Sequence, residues 1–154
     1  MLLAKKILVA CDFADLSRKA GDVGLEIAQS SRVPLVLLHV FQIPTAIYTG
    51  FAPMPVPDYT ELVAKAAQSA LRDEAARLQG KGVEIVTVFK IGVAWEEIIG
   101  AAQRLDVGLI VMGTHGRRSL PRAIMGSVAE KVVRLSPVPV LTIHGSERSE
   151  RSCG

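Results

Sequence analysis

Five short apolar runs are spaced along the chain, and each is rich in valine, isoleucine and leucine. Most are almost continuously apolar instead of alternating with polar residues, which is typical of strands covered on both faces of a parallel sheet. The sequence therefore predicts five buried strands, at residues 6–11, 33–40, 83–89, 107–113 and 138–143.

Between these runs, apolar positions recur every three or four residues, which is the period of a helix with one buried face. The spacing predicts helices over residues 16–31 and 59–79, a third over 95–102, and a fourth that begins at Ser127. Asp58 with Glu61, and Ser127 with Glu130, have the three-residue spacing of a capping box. Both pairs are therefore expected at helix N-termini.

Strands that alternate with helices predict an α/β fold: a doubly wound open parallel five-stranded sheet with helices on both faces, Rossmann-like in architecture. In the strand order 3-2-1-4-5, the direction of winding reverses between strands 1 and 4, and their carboxyl ends form a binding crevice. We expect one domain over residues 1–145 and a flexible tail at 146–154. The proline-rich connection at 41–58 is expected to be either a functional lid or a mobile excursion.

Composition and charge exclude several classes of partner. The 154 residues carry a net charge of +3, and only 5% of them are aromatic. Because the chain lacks both a strongly basic balance and a supply of base-stacking side chains, we expect no nucleic-acid partner. No apolar stretch approaches the ~20 residues of a membrane span, so we expect a cytoplasmic protein without a membrane anchor. Cys11, in an apolar run, and Cys153, in the tail, indicate reduced thiols.

The connection after the fourth strand, MGTHGRRSLPRAIMGSV at residues 112–128, has the features of a phosphate cradle. Its glycines leave backbone N–H groups accessible, and the helix that follows adds free N–H donors and the positive end of its dipole. Each feature also has an ordinary explanation, since a glycine can end a strand, Ser127 can cap a helix, and Arg117 and Arg118 can be solvated. Their combination at the point where the strand order reverses favours a ligand.

The two common nucleotide-binding fingerprints are absent. The chain has no G-x-x-x-x-G-K-[ST] pattern, and the connection after strand 1 reads CDFADLS instead of G-x-G-x-x-G. The sequence therefore disfavours both a P-loop NTPase and a Rossmann dehydrogenase.

Three segments resemble the universal stress protein family: KILVACDFADLS, LLHV and IVMGTHGRRSLPRAIMGSVAEKVVRLSPVPVLTI. The resemblance covers residues 4–144, and Gly113, Gly116, Gly126 and Ser127 match the G-x2-G-x9-G-[ST] pattern of the members that bind ATP. It implies an adenine nucleotide alpha hydrolase-like fold, with ATP as cofactor and Mg2+ or Mn2+ bound through the phosphates.

The resemblance also implies which residues bind the nucleotide. Those expected at the adenosine part are Ala10, Cys11, Asp12, Val40, Met112 and Gly113. Those expected around the phosphates are His115, Gly116, Arg117, Gly126, Ser127 and Val128. Two alternatives stay open, a turn cap for Asp12 and plain core packing for Val40. Ala10 stands where many members have proline, and only backbone and van der Waals contact is expected there.

A homodimer is the further implication of the resemblance, with strand Val138–Ile143 pairing with its copy across a two-fold axis. A physical argument points the same way, because a short, apolar, uncharged edge strand favours the addition of another strand.

Three functions remain open. The first is a nucleotide-binding regulatory protein of the stress response that acts as a switch on an unidentified protein partner, with slow or no hydrolysis. The second is an enzyme, either a slow ATPase with His115 as base or a protein that phosphorylates itself on Ser119 or Ser127. The third is an interaction module without nucleotide, in which the glycines are structural.

Overall fold

The computed structural model of the protein describes residues 5–43, 56–115 and 125–145. The predictions made for Gly116, Arg117, Arg118, Ser119, Cys153 and the tail at 146–154 lie outside these ranges, as does most of the 41–58 connection.

Five strands and four helices are found in the described part of the chain, and they alternate strictly from the first strand to the last. In chain order they are β1 Lys6–Ala10, α1 Asp15–Ser31, β2 Leu35–Phe41, α2 Val56–Leu78, β3 Ile85–Ile91, α3 Ala94–Arg104, β4 Val107–Gly113, α4 Ser127–Leu135 and β5 Val140–Ile143.

The strands form one parallel sheet in the order β3-β2-β1-β4-β5, which confirms the predicted fold class. Val9 of β1 is in register with Leu37 of β2 on one side and with Val111 of β4 on the other, and all three side chains are buried. The two strands expected to flank the crevice, β1 and β4, are therefore adjacent at the point where the winding reverses.

Side chains of alternate strand residues separate into two cores, one on each face of the sheet. Ile7 and Val9 face α1 and α2, whereas Leu8 faces α3 and α4. Fully burying a side chain of this size stabilises the fold by about 1.5–3 kcal/mol, so both cores contribute substantially. The nearly continuous apolar runs in the sequence follow from this double coverage.

Helix α1 packs so closely on β1 that it requires a glycine at one position. A Cβ atom built on Gly24 would lie 2.4 Å from Cγ2 of Val9, a distance that real Cβ contacts do not reach. Valine has little rotameric freedom with which to move away. Gly24 therefore sets how near the helix comes to the sheet.

An ion-pair cluster joins α1 to α2 on the same face. The Arg77 guanidinium donates to both carboxylate oxygens of Glu74, at 2.9 and 2.6 Å, and to Asp22 Oδ1 at 2.7 Å. Glu74 is 9% exposed, and the bidentate hydrogen bond to it raises the pKa of Arg77 above its ordinary value. The buried carboxylate is thus matched by a cation, as burial of charge requires.

The second helix and three strands begin at residues that differ from the prediction. Strands β2 and β5 begin at Leu35 and Val140, two residues later than predicted in each case. Helix α2 begins at Val56, so Asp58 lies within its first turn and does not cap it. A carboxylate in the first turn stabilises the helix through the positive end of its dipole. Strand β3 begins at Ile85 because its partner β2 begins at Leu35, after Pro34, which has no N–H to give to a ladder.

Within the described ranges, no helix is both long and apolar enough to cross a membrane.

Candidate functional site

A cavity of about 240 Å3 opens at the carboxyl ends of β1 and β4, where the crevice was predicted. Of the twelve predicted site residues, the nine that line it are Ala10, Cys11, Asp12, Val40, Met112, Gly113, Gly126, Ser127 and Val128. His115 does not line it, and Gly116 and Arg117 lie outside the described residues. The lining residues that the sequence did not indicate are Ser17, Leu38, Ala94, Ile98, Thr114 and Ala129.

One wall of the cavity is apolar. Leu38, Ile98 and Met112 are almost completely buried at its base, and the partly buried Val40 lies beside them. These side chains come from β2, α3 and β4, and all belong to or pack against the core between the sheet and α3 and α4. A wall of this kind suits a flat apolar group of a ligand.

The turn between β1 and α1, which carries Asp12, also lines the cavity. Asp12 Oδ1 accepts a hydrogen bond from the Ala14 N–H at 2.9 Å, so the side chain stabilises its own turn. The Asp12 N–H donates to Ser17 Oγ at 3.0 Å, and Ser17 is 4% exposed. The alternative of a turn cap for Asp12 is thus correct, while the residue also lines the cavity.

Cys11 also lines the cavity, but its thiol is protonated at neutral pH. Burial, followed by the nearby carboxylates of Glu74 and Asp12, raises the pKa of Cys11 to about 12. Because the thiolate is the reactive form, the protonated thiol packs as a small apolar group. Cys11 is thus a buried free thiol, as its position in an apolar run indicated.

The N-terminus of α4 lines the cavity, and within the described ranges no side chain caps it. Gly126 is the N-cap residue, and Ser127 is the first residue of the helix, so the predicted Ser127–Glu130 capping box is wrong. The Glu130 carboxylate instead pairs with Arg134 at 3.2 Å, one turn further along. Ser127 is exposed, and the first N–H groups of α4 are left for water or a ligand.

Two of the motif glycines are also needed for packing. A Cβ atom on Gly113 would lie 2.9 Å from Cβ of Leu16 in α1, and one on Gly126 would lie 3.0 Å from the Thr114 carbonyl oxygen. The ordinary explanation of these glycines therefore holds in part. It does not compete with a ligand, because the same close approach brings the α4 N-terminus to the end of β4.

Thr114 ties the end of β4 to β5. Its N–H and its hydroxyl both donate to the Ile143 carbonyl oxygen, at 3.0 and 3.3 Å, and the residue is 1% exposed. His115 Nδ1 lies 3.0 Å from Thr114 Oγ1, and His115 Nε2 is buried with no hydrogen-bond partner among the described residues. His115 therefore lies next to the cavity, held by Thr114.

The fold and the site together define a class: a doubly wound parallel α/β domain whose cavity, between its two central strands, receives an uncapped helix N-terminus. The model of the universal stress protein family matches residues 4–144. The chain is 33% identical to universal stress protein YxiE of Bacillus subtilis over 144 residues, covering 90% of this chain and 97% of YxiE. The chain therefore belongs to the universal stress protein family.

Solved structures have the same fold. MJ0577, a universal stress protein of Methanocaldococcus jannaschii, superposes with a TM-score of 0.76 at 25% identity, covering 94% of this chain and 98% of that one. A universal stress protein in complex with cAMP superposes with a TM-score of 0.67 at 23% identity, covering 93% and 98%. The second likeness shows the fold alone.

Proposed function

We propose that the protein binds an adenine nucleotide, with ATP as its ligand, in the cavity between β1 and β4, and acts as a regulatory switch in the stress response. The observation that carries this proposal is the uncapped N-terminus of α4, which lies in the same cavity as an apolar wall. An apolar wall for a base and a helix N-terminus for phosphates are the two halves of a nucleotide site.

The adenosine end is assigned to the apolar wall and the Asp12 turn. Val40, Leu38 and Met112 offer apolar surface to a purine, and Asp12 lines the same cavity. Adenine is the base favoured by the family pattern, and the cAMP complex of a protein with this fold supports the same class of ligand.

The phosphate end is assigned to the backbone N–H groups of Ser127 and Val128, with Gly126 lining the cavity beside them. These groups begin α4, where the helix dipole also favours negative charge. Gly116 and Arg117 complete this end in the proposal. A Mg2+ or Mn2+ ion would be held by phosphate oxygens, since the described residues contain no cluster of three or more side chains that could hold a metal.

Hydrolysis is expected to be slow or absent. The one carboxylate that lines the cavity among the described residues, Asp12, already accepts the Ala14 N–H. His115, the candidate base, does not line the cavity. Among the described residues no group is placed to orient a water molecule, which favours binding of a nucleotide over its hydrolysis.

The β5 edge is proposed as the homodimer interface. β5 pairs with β4 on one side, and Leu141 is 37% exposed on this strand. Val133 and Leu135 of the neighbouring α4 are also exposed and apolar. Sedimentation equilibrium of the wild type and of Leu141→Lys tests this: a dimer that the substitution dissociates is expected, and a monomeric wild type contradicts the proposal.

Isothermal titration calorimetry of the full chain with Mg-ATP, and with Mg-GTP as the control, tests nucleotide binding. We expect one site per chain for Mg-ATP and weaker binding of Mg-GTP. No heat with either nucleotide, or equal affinity for both, would contradict an adenine nucleotide site.

A further inference from the structure

The ring of His39 lies outside the cavity but contacts the turn that carries Asp12. His39 is near the carboxyl end of β2, in register with Phe89 of β3. Its ring stacks on Phe13 with a centroid separation of 4.6 Å and on Phe89 at 6.0 Å. Its Nδ1 atom lies 2.6 Å from the Cys11 carbonyl oxygen.

The partner of Nδ1 determines which tautomer the ring adopts. A carbonyl oxygen only accepts hydrogen bonds, so Nδ1 carries the hydrogen and donates to Cys11. The Cys11 N–H in turn donates to the Leu38 carbonyl oxygen at 2.7 Å. Both backbone polar groups of Cys11 are therefore bound to β2, one by the strand and one by the His39 side chain.

The turn that follows is one that needs to be held. Phe13 has φ of 66°, in the left-handed region, where a bulky non-glycine residue is strained. His39 contacts both sequence neighbours of Asp12: it donates a hydrogen bond to the Cys11 carbonyl oxygen and stacks on the Phe13 ring. Without this bond, the Cys11 carbonyl oxygen loses a hydrogen-bond donor and the strained turn loses a support.

We infer that His39 is a positioning residue for the nucleotide site, which fixes the orientation of Asp12 through the Cys11 carbonyl oxygen. This inference rests on the proposed function. His39 does not touch the ligand, and its effect on affinity passes through the turn at residues 11–14. The His39 ring both donates a hydrogen bond and stacks on Phe13, and two substitutions test these contacts separately.

His39→Phe keeps a stacking ring and removes the donor, whereas His39→Asn keeps a donor near the Nδ1 position and removes the ring. His144→Phe, at an exposed histidine after β5, is the matched control. In calorimetry with Mg-ATP, losing one such hydrogen bond is expected to weaken binding about tenfold in His39→Phe. His39→Asn and His144→Phe are expected to bind within about twofold of the wild type. Equal weakening by Phe and Asn at position 39, or none in either, overturns the inference.

A cycle with Asp12→Asn shows whether the effect passes through Asp12. The asparagine keeps an oxygen for the Ala14 N–H and removes the charge, so the turn itself is preserved. In this background, His39→Phe is expected to change the Mg-ATP affinity less than about twofold, because coupled residues are non-additive. A full tenfold loss in the Asp12→Asn background overturns the inference.

Measurements without nucleotide separate this inference from the proposed function. If the wild type binds no nucleotide, the proposed function fails, and NMR still tests whether His39 holds the turn. The His39 ring is expected in the Nδ1–H form, and the amide of Ala14 is expected to exchange faster in His39→Phe than in His39→Asn. An Nε2–H form, or unchanged exchange in His39→Phe, overturns the role of His39.

Discussion

Gly126 donates its backbone N–H to the Thr114 carbonyl oxygen at 2.7 Å, and this bond joins the end of β4 to the start of α4. The two residues flank the glycine-containing connection, twelve positions apart in the sequence. Because Thr114 also bonds to Ile143, the helix N-terminus is fixed relative to both β4 and β5. The position of the proposed phosphate site therefore depends on this one contact.

Gly126→Ala is expected to disturb this contact. The new Cβ would lie 3.0 Å from the Thr114 oxygen, a backbone atom that cannot turn away as a side chain can. We expect a loss of about 1–3 kcal/mol in the free energy of unfolding, measured by urea denaturation, together with weaker binding of Mg-ATP. Gly145→Ala, whose Cβ would meet nothing within 4 Å, is the control and should change neither. A Gly126→Ala protein as stable as this control would show that the close contact between Gly126 and Thr114 does not contribute to stability.

Ser127→Pro tests the backbone donor at the first position of α4. Proline is well accepted there, since its φ suits the first helical residue, and Gly126 before it has ψ of 155°, which proline permits. Losing an N–H that faces a phosphate is expected to weaken Mg-ATP binding about tenfold or more, with the melting temperature of the nucleotide-free protein nearly unchanged. Ser127→Ala removes the hydroxyl alone and should have the smaller effect. Equal affinities of the proline variant and the wild type would place the phosphates elsewhere.

Gly24→Ala and Gly100→Ala are expected to have opposite effects on stability. At Gly24 a Cβ would collide with Val9, so we expect a loss of about 1–3 kcal/mol in the free energy of unfolding. At Gly100, in α3, the nearest atom is the mobile end of Arg104 at 2.9 Å, so alanine should stabilise the helix by about 0.5–1 kcal/mol. Urea denaturation measures both. A Gly24→Ala protein as stable as the wild type would contradict the packing of α1 on β1, and a destabilised Gly100→Ala protein would show that Arg104 cannot move aside.

Cys11 is expected to make stability depend on pH in the alkaline range. The ordinary pKa is 9.0 and burial raises it to about 12 in the folded protein, so above pH 9 the unfolded chain releases the proton first. The contribution of Cys11 is therefore constant below pH 9 and falls as pH rises toward 12, with a slope of up to about 1.4 kcal/mol per pH unit. Cys11→Ala should lose this slope in denaturation series from pH 8 to 11. An identical slope in the variant would contradict the burial of the thiol.

The apolar periodicity predicted much of this molecule. Runs such as residues 107–113 identified strands, and the expected strand order placed the binding crevice between strands 1 and 4, as the structure has it. Asp12 lies shortly after β1, Gly113 ends β4 and Gly126 precedes α4, and these positions at the carboxyl edge of the sheet place all three at the cavity. Local patterns suffice where a residue's place depends on its own strand or helix.

Contacts between distant residues could not be read in this way. The Ser17 hydroxyl oxygen, within α1, accepts the Asp12 N–H. Nothing in the sequence distinguishes Ser17 from any other serine in a helix. Gln42 Oε1 accepts the Ala94 N–H at 3.0 Å and so satisfies a donor at the start of α3 from 52 residues away. The spacing of Ser127 and Glu130 suggested a cap, but the close approach of Gly126 to Thr114 makes the glycine the N-cap. Tertiary contacts decide which residue ends a helix.

The central claim, that this cavity holds an adenine nucleotide, is tested most directly by the content of protein purified without added ligand. The protein is denatured, and the released small molecules are separated by chromatography and quantified against the chain. We predict an adenine nucleotide at close to one per chain, mainly ATP, as expected for a site that binds without rapid turnover. Mainly ADP would instead favour the slow ATPase. An extract without nucleotide, followed by no calorimetric heat when Mg-ATP is added, would contradict the account.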